Sequence, residues 1–586
     1  MGRPWILGTL LLALAACGPE SPPGAERQPG AAAPQQPGTG AQEAAPAADL
    51  VLRNAYIYTV DSERRIAQAL AVRGGRIVYV GSDDGARPYI GDGTRVEDLD
   101  GKLVLPGFID SYMYVGNLAG EVDLYDGDSI ADYQQAVAQF IEAHPQRQLV
   151  VGRGWDGSTF SEGTPHKAQL DQVNDLVPIV LYAADHHTIW TNSEAIAAAG
   201  IDNDTPDPEG GVIERDETGL VTGVFRGRSA MALVEKIIPP KNEADYRAQI
   251  RAAQDALARR GITTVHDAYI RPTEDRSKLD AYQKMAGLKN LTVRVRGSFS
   301  LAPGAGEKEI QFLKTLSEKY RDEDFQVHSA RLVTDGGVAA ARALLKQPYR
   351  DRPDHRGAQR FGQKDLNQMV KLANAARLQV MLRTVGDAAV DMALTAFAHS
   401  RDINGPEDLR NALVHLRLVD QQDLQRFVET RTVALVLPYR LDRGASLRAQ
   451  GLPQLGDTRA AAQYPLQSLF DAGITVAAGS NRPGSSPGNP LAGIQLGVTR
   501  GEAGGGSDPA AGDGAGVSVE EMVAAFTING AFANRLEEQT GSLEPGKWAD
   551  MVVLDRNLFQ VAPQEIASTR VLQTYYRGRQ VFGAGE

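Results

Sequence analysis

Cysteine is nearly absent from this sequence of 586 residues, and basic residues are fewer than acidic ones. The single cysteine, Cys17, excludes an intrachain disulfide bond. The formal net charge is −12 and no run of lysine and arginine offsets it, which argues against nucleic-acid binding because that function requires a basic surface. The chain is too long for one small domain, and its length suits a large barrel with an accessory domain.

An apolar run of about 20 residues, the length that crosses a membrane, is lacking at the N-terminus. The run from Ile6 to Ala16 is shorter and follows Arg3, as in a signal peptide. It ends in the letters LAAC, which resemble a bacterial lipobox and imply cleavage before Cys17 and lipidation of that residue as a membrane anchor. Gly18 rather than Asp follows, which by resemblance to Gram-negative sorting rules predicts the outer membrane, facing the periplasm. An ordinary secretory signal with a free thiol is the alternative.

The two ends of the mature chain have different patterns from its middle. Residues 18–48 are almost entirely Pro, Gly, Ala, Gln and Glu, so no core can form there and a flexible tether is predicted. From residue 49, apolar and polar residues alternate in DLVLRNAYIYTVD and AVRGGRIVYVG, which predicts β-hairpins. ADMVVLD and VLQTYYRGRQVFG repeat this alternation near the C-terminus. We therefore expect one small composite β-sandwich built from both termini.

Strand and helix patterns alternate between these ends. Amphipathic stretches such as DYRAQIRAAQDALARRG follow short apolar segments, which favours an α/β fold, a distorted (β/α)8 barrel of the TIM type. The strand candidates are LVVGRGW, PIVLYAAD, ITTVHDA, ARLVTDGG, LQVMLRTVGD, NALVHLR, TVALVL and ITVAAGSN. The predicted segments are a signal peptide and lipobox at 1–17, a tether at 18–48, the first part of the sandwich at 49–105, the barrel at 106–540 with an insertion at about 117–225, and the second part of the sandwich at 541–586.

Several longer motifs carry a family resemblance. LVLPGFIDS at 103–111 looks like the first barrel strand of the amidohydrolases, and DHHTIWTNSEAIAAAGI at 185–201 resembles the substrate-domain signature of amidohydrolase family 3, the YtcJ-like subgroup. Further motifs match that subgroup in order: EGGVIERDETGLVTGVF, GITTVHDA, TDGG, VGDAAVDMAL, NPLAGIQLGVTR and GSLEPGKWADMVVLD. The resemblance covers roughly residues 49–580. It implies metal-dependent hydrolysis, mostly of C–N bonds that are not peptide bonds.

The family's metal-binding positions are largely substituted in this sequence. The family pattern has His-x-His after strand one, Lys on strand four, one His each on strands five and six, and Asp on strand eight. These residues hold one or two divalent metals such as zinc, which activate water and polarise the scissile carbonyl. The matching residues here are Tyr112, Tyr114, Arg331, Arg383, His415 and Asn481. Only His415 keeps a metal-ligand type.

The substituted residue types are poor metal ligands. A tyrosine hydroxyl ionises only near about pH 10, and a guanidinium has no free lone pair. Two arginines in one pocket would repel a dication, and Asn481 cannot pass a proton as a carboxylate does. We therefore expect no bound metal or other cofactor, and no residue is assigned a catalytic role with confidence from the sequence.

The histidines near these motifs have two interpretations each. By resemblance, His186, His187 and His266 match positions in or near the family's substrate pocket, with simple packing as the alternative. His266 is expected to be structural. His415 is expected to be a hydrogen-bonded relic of the metal centre rather than a ligand.

The substituted positions form a donor-rich pocket. Arginine forks suit carboxylate or phosphate recognition, and tyrosines add stacking and hydrogen bonding. A non-catalytic protein that binds an anionic or zwitterionic small molecule is therefore the first hypothesis. The predicted ligand-binding residues are Arg331, Arg383, His187, Tyr112, Tyr114 and Asn481. Asp335 and Asp387 each follow one of the arginines by four residues, and we expect them to form salt bridges with it.

Two other functions stay open at this point. An active hydrolase could use a remodelled or metal-independent site, with His415 or a retained aspartate as the base. A structural or interaction role at the membrane surface is motivated by the tether and anchor. Family membership does not choose among these hypotheses, because a fold does not fix a function. The sequence does not define the oligomeric state.

Overall fold

The computed structural model describes most of the chain from Pro46 onward, and this part belongs to one compact unit. The described residues are 46–115, 120–124, 129–155, 160, 164–183, 187–273, 275–301, 303–338, 341–441, 444–483, 487–501 and 516–583. The predicted signal peptide, the lipobox with Cys17 and nearly all of the predicted tether lie outside them. Across these ranges, no helix is both long and apolar enough to span a membrane.

A barrel of eight parallel strands occupies the centre of the described chain, and each strand is hydrogen-bonded to the next in chain order. The strands are β1 (Phe108–Met113), β2 (Ile262–Ile270), β3 (Arg294–Ser300), β4 (Phe325–Val333), β5 (Gln379–Thr384), β6 (Ala412–His415), β7 (Val433–Val436) and β8 (Val476–Ala478). They are almost entirely buried, as expected for parallel strands covered on both faces. The barrel closes between β8 and β1, where the Asn481 amide donates to the Tyr112 carbonyl at 2.7 Å. This architecture confirms the predicted TIM-type barrel.

Two barrel strands differ from the sequence expectation. The expected first strand at 103–111 is divided, because only the part from Phe108 onward enters the barrel. Gly107 lies at the division, where an added Cβ would stand 2.3 Å from the Thr263 hydroxyl oxygen. β3 is absent from the predicted strands because Arg294 and Arg296 interrupt its apolar pattern. Both side chains are nevertheless buried, and Arg294 pairs with the buried Asp550 at 2.8 Å.

Strands from both ends of the chain form the composite β-sandwich, as predicted. One six-stranded sheet contains Tyr56–Tyr58, Ile66–Ala67, Leu103–Pro106, Met551–Leu554, Val571–Tyr576 and Arg579–Gly583. The four-stranded sheet contains Leu50–Arg53, Ala69–Arg73, Arg76–Gly81 and Arg95–Asp98. Leu52, Val72, Met551 and Tyr575 belong to an apolar cluster that draws on both sheets. The termini are thereby joined through one core.

A second six-stranded sheet is inserted between β1 and β2. Its strands are Val122–Asp123, Val150–Trp155, Ile179–Ala183, Thr188–Thr191, Val212–Arg215 and Val221–Arg226. Trp155, Phe160 and Trp190 pack edge to face in its core, with the two tryptophan rings 6.1 Å apart. The strand candidates LVVGRGW and PIVLYAAD therefore lie in this inserted sheet and not in the barrel.

Helices connect most of the barrel strands. The described α-helices are Asp83–Ala86, Ile130–Ala143, Lys167–Asp171, Ser193–Ala198, Arg228–Glu235, Glu243–Ala258, Arg276–Gly287, Glu307–Lys319, Gln363–Ala375, Asp387–Asn404, Leu424–Thr430, Gly444–Ala461, Leu466–Asp471, Pro490–Thr499, Val519–Ala525 and Ile528–Ala533. Short 3-10 helices lie at Arg87–Tyr89, Gln421–Asp423, Pro438–Arg440 and Pro563–Ser568. The helix at Glu243–Ala258 begins with a capping box in which Asn242 accepts from the Asp245 amide.

Candidate functional site

All six of the family's metal-ligand positions, five of them substituted, lie at or near the carboxyl ends of barrel strands. This is the end at which TIM barrels place their active sites. Tyr112 and Tyr114 are at the end of β1, Arg331 is on β4, Arg383 is on β5, His415 is the last residue of β6 and Asn481 follows β8. The barrel thus gathers these six positions at one end, which we call the mouth cluster.

Arg331 and Tyr112 form the central contact of the mouth cluster. Arg331 Nε donates to the Tyr112 hydroxyl at 2.6 Å, and both side chains are buried. The guanidinium carbon also lies 5.5 Å from the ring centroid of Tyr269, within the range of a cation–π contact. Tyr269 follows His266 on β2 and is 41% exposed, so it adds an accessible aromatic face. Tyr269 is not among the predicted site residues, and its place just after the predicted strand ITTVHDA is the one sequence signal that could have indicated it.

Asn481 contacts Tyr114 and also joins β8 to β1 at the barrel seam. The Tyr114 hydroxyl donates to Asn481 Oδ1 at 3.0 Å, while the Asn481 amide bonds the Tyr112 carbonyl. Asn481 has φ of 57°, the left-handed region that asparagine tolerates better than most residues. The residue at the family's aspartate position therefore has a structural role at the seam.

The prediction that Arg331 and Arg383 form salt bridges with Asp335 and Asp387 is wrong. Arg383 donates instead to the backbone carbonyl of Asp335 at 2.8 Å. The Asp335 carboxylate is fully buried and accepts backbone N–H bonds from Val385, Gly386 and Leu344 at 2.9, 2.8 and 3.0 Å. Backbone amides thus take the place that a guanidinium was expected to fill.

Asp387 likewise binds backbone groups rather than an arginine. Its Oδ1 accepts from the amides of Lys346 and Ala388 at 2.9 and 3.0 Å, at the start of the helix Asp387–Asn404. Among the described residues, no carboxylate therefore lies within salt-bridge distance of either mouth arginine.

The electrostatic field of the mouth cluster is positive. Burial alone would lower the pKa of Arg331, but Tyr112 and Tyr114 more than offset this effect and raise it. Burial lowers the pKa of Arg383, with Asp335 opposing the shift. Both groups stay cationic at any physiological pH, because the ordinary pKa of a guanidinium lies far above that range. Burial raises the pKa of Asp335 to about 6, so the nearest carboxylate is only a weak counter-ion below that pH.

His415 is a neutral imidazole beside this positive charge. Burial, followed by the charges of Arg383, Arg440 and Arg331, holds its pKa well below the ordinary value. Its side chain makes no hydrogen bond with the described residues, so the expected hydrogen-bonded relic is not what the structure contains. Arg440, in the 3-10 helix after β7, is exposed and contributes to this lowering of the His415 pKa. The sequence motifs do not indicate this residue as a neighbour of the mouth cluster.

The backbone at His415 is strained. His415 and Leu416 have φ of 80° and 48°, so two consecutive non-glycine residues occupy the left-handed region. Such residues cost of order 1–3 kcal/mol each and occur mainly where the surrounding structure holds a functional geometry. The Leu416 amide donates to the Thr384 carbonyl at 3.0 Å, which fixes the turn against the end of β5.

The residues at the family positions do not fit a divalent metal. Tyrosine hydroxyls, guanidinium groups and an amide replace five of the six expected donors, and the arginines repel a cation. Within the described ranges, no three His, Cys, Asp or Glu side chains lie close enough together to hold a metal ion.

The remaining predicted histidines lie in different environments. His187 is exposed in the loop before Thr188–Thr191 of the inserted sheet, and its carbonyl accepts from the Gly227 amide at 2.9 Å. Its pocket role stays a prediction, and His186 lies outside the described residues. His266 is fully buried between Asn534 and Ser298, at 2.7 and 2.6 Å. Burial lowers its pKa to about 4, which agrees with the expected structural role.

The barrel, the composite sandwich and the strand-end positions are those of an amidohydrolase. Residues 95–582 match the profile of the amidohydrolase family, Amidohydro_3. The chain therefore belongs to the amidohydrolase family, in the YtcJ-like family 3 subgroup.

Known proteins resemble the chain over nearly its whole length. Protein LONG AFTER FAR-RED 3 of Arabidopsis thaliana is 30% identical over 551 residues, which cover 91% of this chain and 92% of that protein. YtcJ of Bacillus subtilis is 28% identical over 539 residues, covering 90% of this chain and 98% of YtcJ. An uncharacterized metal-dependent hydrolase from Pyrococcus furiosus is 24% identical, covers 87% of this chain and 100% of its own, and has a TM-score of 0.67. The last likeness shows the fold alone.

We expect the His415 imidazole to stay neutral at pH values below the ordinary pKa of histidine, because burial and nearby guanidinium groups lower its pKa. NMR of histidine-labelled protein measures this, with His415→Gln identifying the signal. Arg383→Met removes one repelling charge and should shift the pKa upward. In the unfolded chain the ordinary pKa is restored, so this group should destabilise the fold as pH falls below about 6.5. Titration of His415 near about 6.5 in the unaltered protein would contradict the account.

Proposed function

We propose that this chain is a non-catalytic member of its family that binds a small anionic or zwitterionic molecule at the mouth cluster. The observation that supports this most is the pair Arg331 and Arg383, which are cationic and have no carboxylate within salt-bridge distance among the described residues. Burying a charge without a counter-ion is costly, so a ligand that supplies the missing negative charge would be stabilising.

The free donors of the two arginines fit this ligand class. Arg331 uses Nε for Tyr112, and Arg383 uses Nη1 for the Asp335 carbonyl. Further N–H groups of each guanidinium are available, and a guanidinium fork matches the two oxygens of a carboxylate or phosphate. Tyr269 adds an exposed ring beside Arg331 on which a planar part of the ligand could stack.

We also propose that no divalent metal occupies the family's position in this chain. The donor types at the six positions support this, as does the positive charge of the two arginines. Without a metal, the family mechanism lacks both its activated water and its polarised carbonyl. A binding role needs neither of them.

The proposal includes attachment of the protein to the bacterial envelope through a lipid on Cys17, and Gly18 supports the outer membrane as the place of attachment. The lipobox letters before Cys17 and the Pro/Gly/Ala-rich tether after it support this. Cys17→Ser should move the protein from the membrane fraction to the soluble fraction. Unchanged membrane retention of that variant would count against a lipid anchor.

Binding of small anions tests the proposed function directly. We expect acetate, N-acetylglycine or inorganic phosphate to bind the purified protein, and the double variant Arg331→Ala/Arg383→Ala to bind about 100-fold more weakly or worse, because two charge-assisted contacts are lost. Isothermal titration calorimetry gives the affinities, and circular dichroism checks the fold of each variant.

The matched control is Arg251→Ala/Arg321→Ala, which removes the same charge from two exposed arginines. It should leave binding unchanged apart from a small long-range effect that salt screens. Equal weakening in both double variants, or binding of none of the three probes, would overturn the proposed function.

A further inference from the structure

A small apolar recess opens beside His415. Apart from His415 and Tyr464, its lining residues are aliphatic or proline, and they come from the end of β6, from β7 and the turn after it, and from the helix Leu466–Asp471. Leu416, Leu437 and Leu441 are among them. No ion pair or hydrogen bond of the mouth cluster involves these aliphatic side chains. The recess is therefore an apolar feature next to a cationic one.

The strained turn at His415 positions both features. His415 lines the recess, and its ring centroid lies 6.1 Å from that of Tyr112, whose hydroxyl accepts from Arg331. Because Leu416 follows in the left-handed region, its side chain packs into the recess wall and is only 1% exposed. The turn thus lies at the boundary between the charged and apolar parts.

From this juxtaposition we infer that the ligand carries a short aliphatic group that enters the recess while its anionic group meets Arg331 and Arg383. The inference rests on the proposed function and narrows the ligand class to short amphipathic anions. Apolar surface buried in the recess would add affinity, and the arginines would set the orientation. A purely polar anion such as phosphate would leave the recess unused.

The size of the recess limits the aliphatic group. The volume in which the centre of a water-sized sphere can lie is about 10 Å³, close to the least that holds one water molecule. A methyl group fits such a space, and a longer chain does not fit without displacement of the wall. Leu441 is 5% exposed in that wall, so shortening it to alanine enlarges the recess without touching the arginines.

A homologous series of monocarboxylates tests this inference on the full-length protein. The probes are acetate, propanoate, butanoate and pentanoate, with affinities measured by calorimetry. In the unaltered protein we expect no gain beyond the shortest members. In Leu441→Ala we expect about a fourfold gain per added methylene, over about the three carbons that the substitution removes.

Leu313→Ala is the matched control, because Leu313 is equally buried on the distant helix Glu307–Lys319. It should lose stability but keep the chain-length profile of the unaltered protein. The same profile in all three proteins, with binding still dependent on the arginines, would overturn the recess assignment and leave the proposed function standing. Carboxylate binding that is unchanged in Arg331→Ala/Arg383→Ala would overturn both the recess assignment and the proposed function.

Discussion

Closure of the barrel between β8 and β1 is the constraint on which the site depends. The Asn481 amide bonds the Tyr112 carbonyl across this seam, and the buried Asp110 carboxylate accepts from the Ser480 and Tyr112 amides at 2.9 and 3.2 Å. These bonds fix the first and last strands at one level. The side chains at the ends of β4, β5 and β6 then face the same space, so residues far apart in sequence form one cluster.

The mouth cluster carries positive charge on protein side chains, whereas a metal centre carries it on the bound ion. A family member holds a dication among neutral and anionic ligands, whereas this chain places two guanidinium groups among tyrosines, an amide and a neutral imidazole. The tyrosines offer hydroxyl and ring contacts to Arg331 without neutralising it. Charge of this kind favours an anionic guest, and the strained His415–Leu416 turn sets an apolar wall beside it. This charge distribution supports the proposal that the pocket binds an anion rather than activating water.

The sequence predicts much of the fold and of the site's membership. Period-two alternation at both termini indicates the sandwich, and motif flanks fix the register of the six metal-ligand positions. The exact contacts depend on tertiary packing and do not follow from spacing. Asp335 follows Arg331 by four residues, yet its carboxylate turns to backbone amides because three N–H groups converge there. The apolar pattern of the sequence does not predict β3, because Arg294 in this strand is buried against Asp550, a partner 256 positions away.

The measurement that tests the central claim most directly is the metal content of the purified protein after growth with added zinc, by elemental mass spectrometry. The account predicts less than about 0.1 metal per chain, because the six family positions offer a single imidazole where structural and catalytic zinc sites use three or four protein ligands. About one metal or more per chain, lost on His415→Ala, would contradict the account. The pocket would then be a remodelled metal centre, and hydrolysis would again be the leading function.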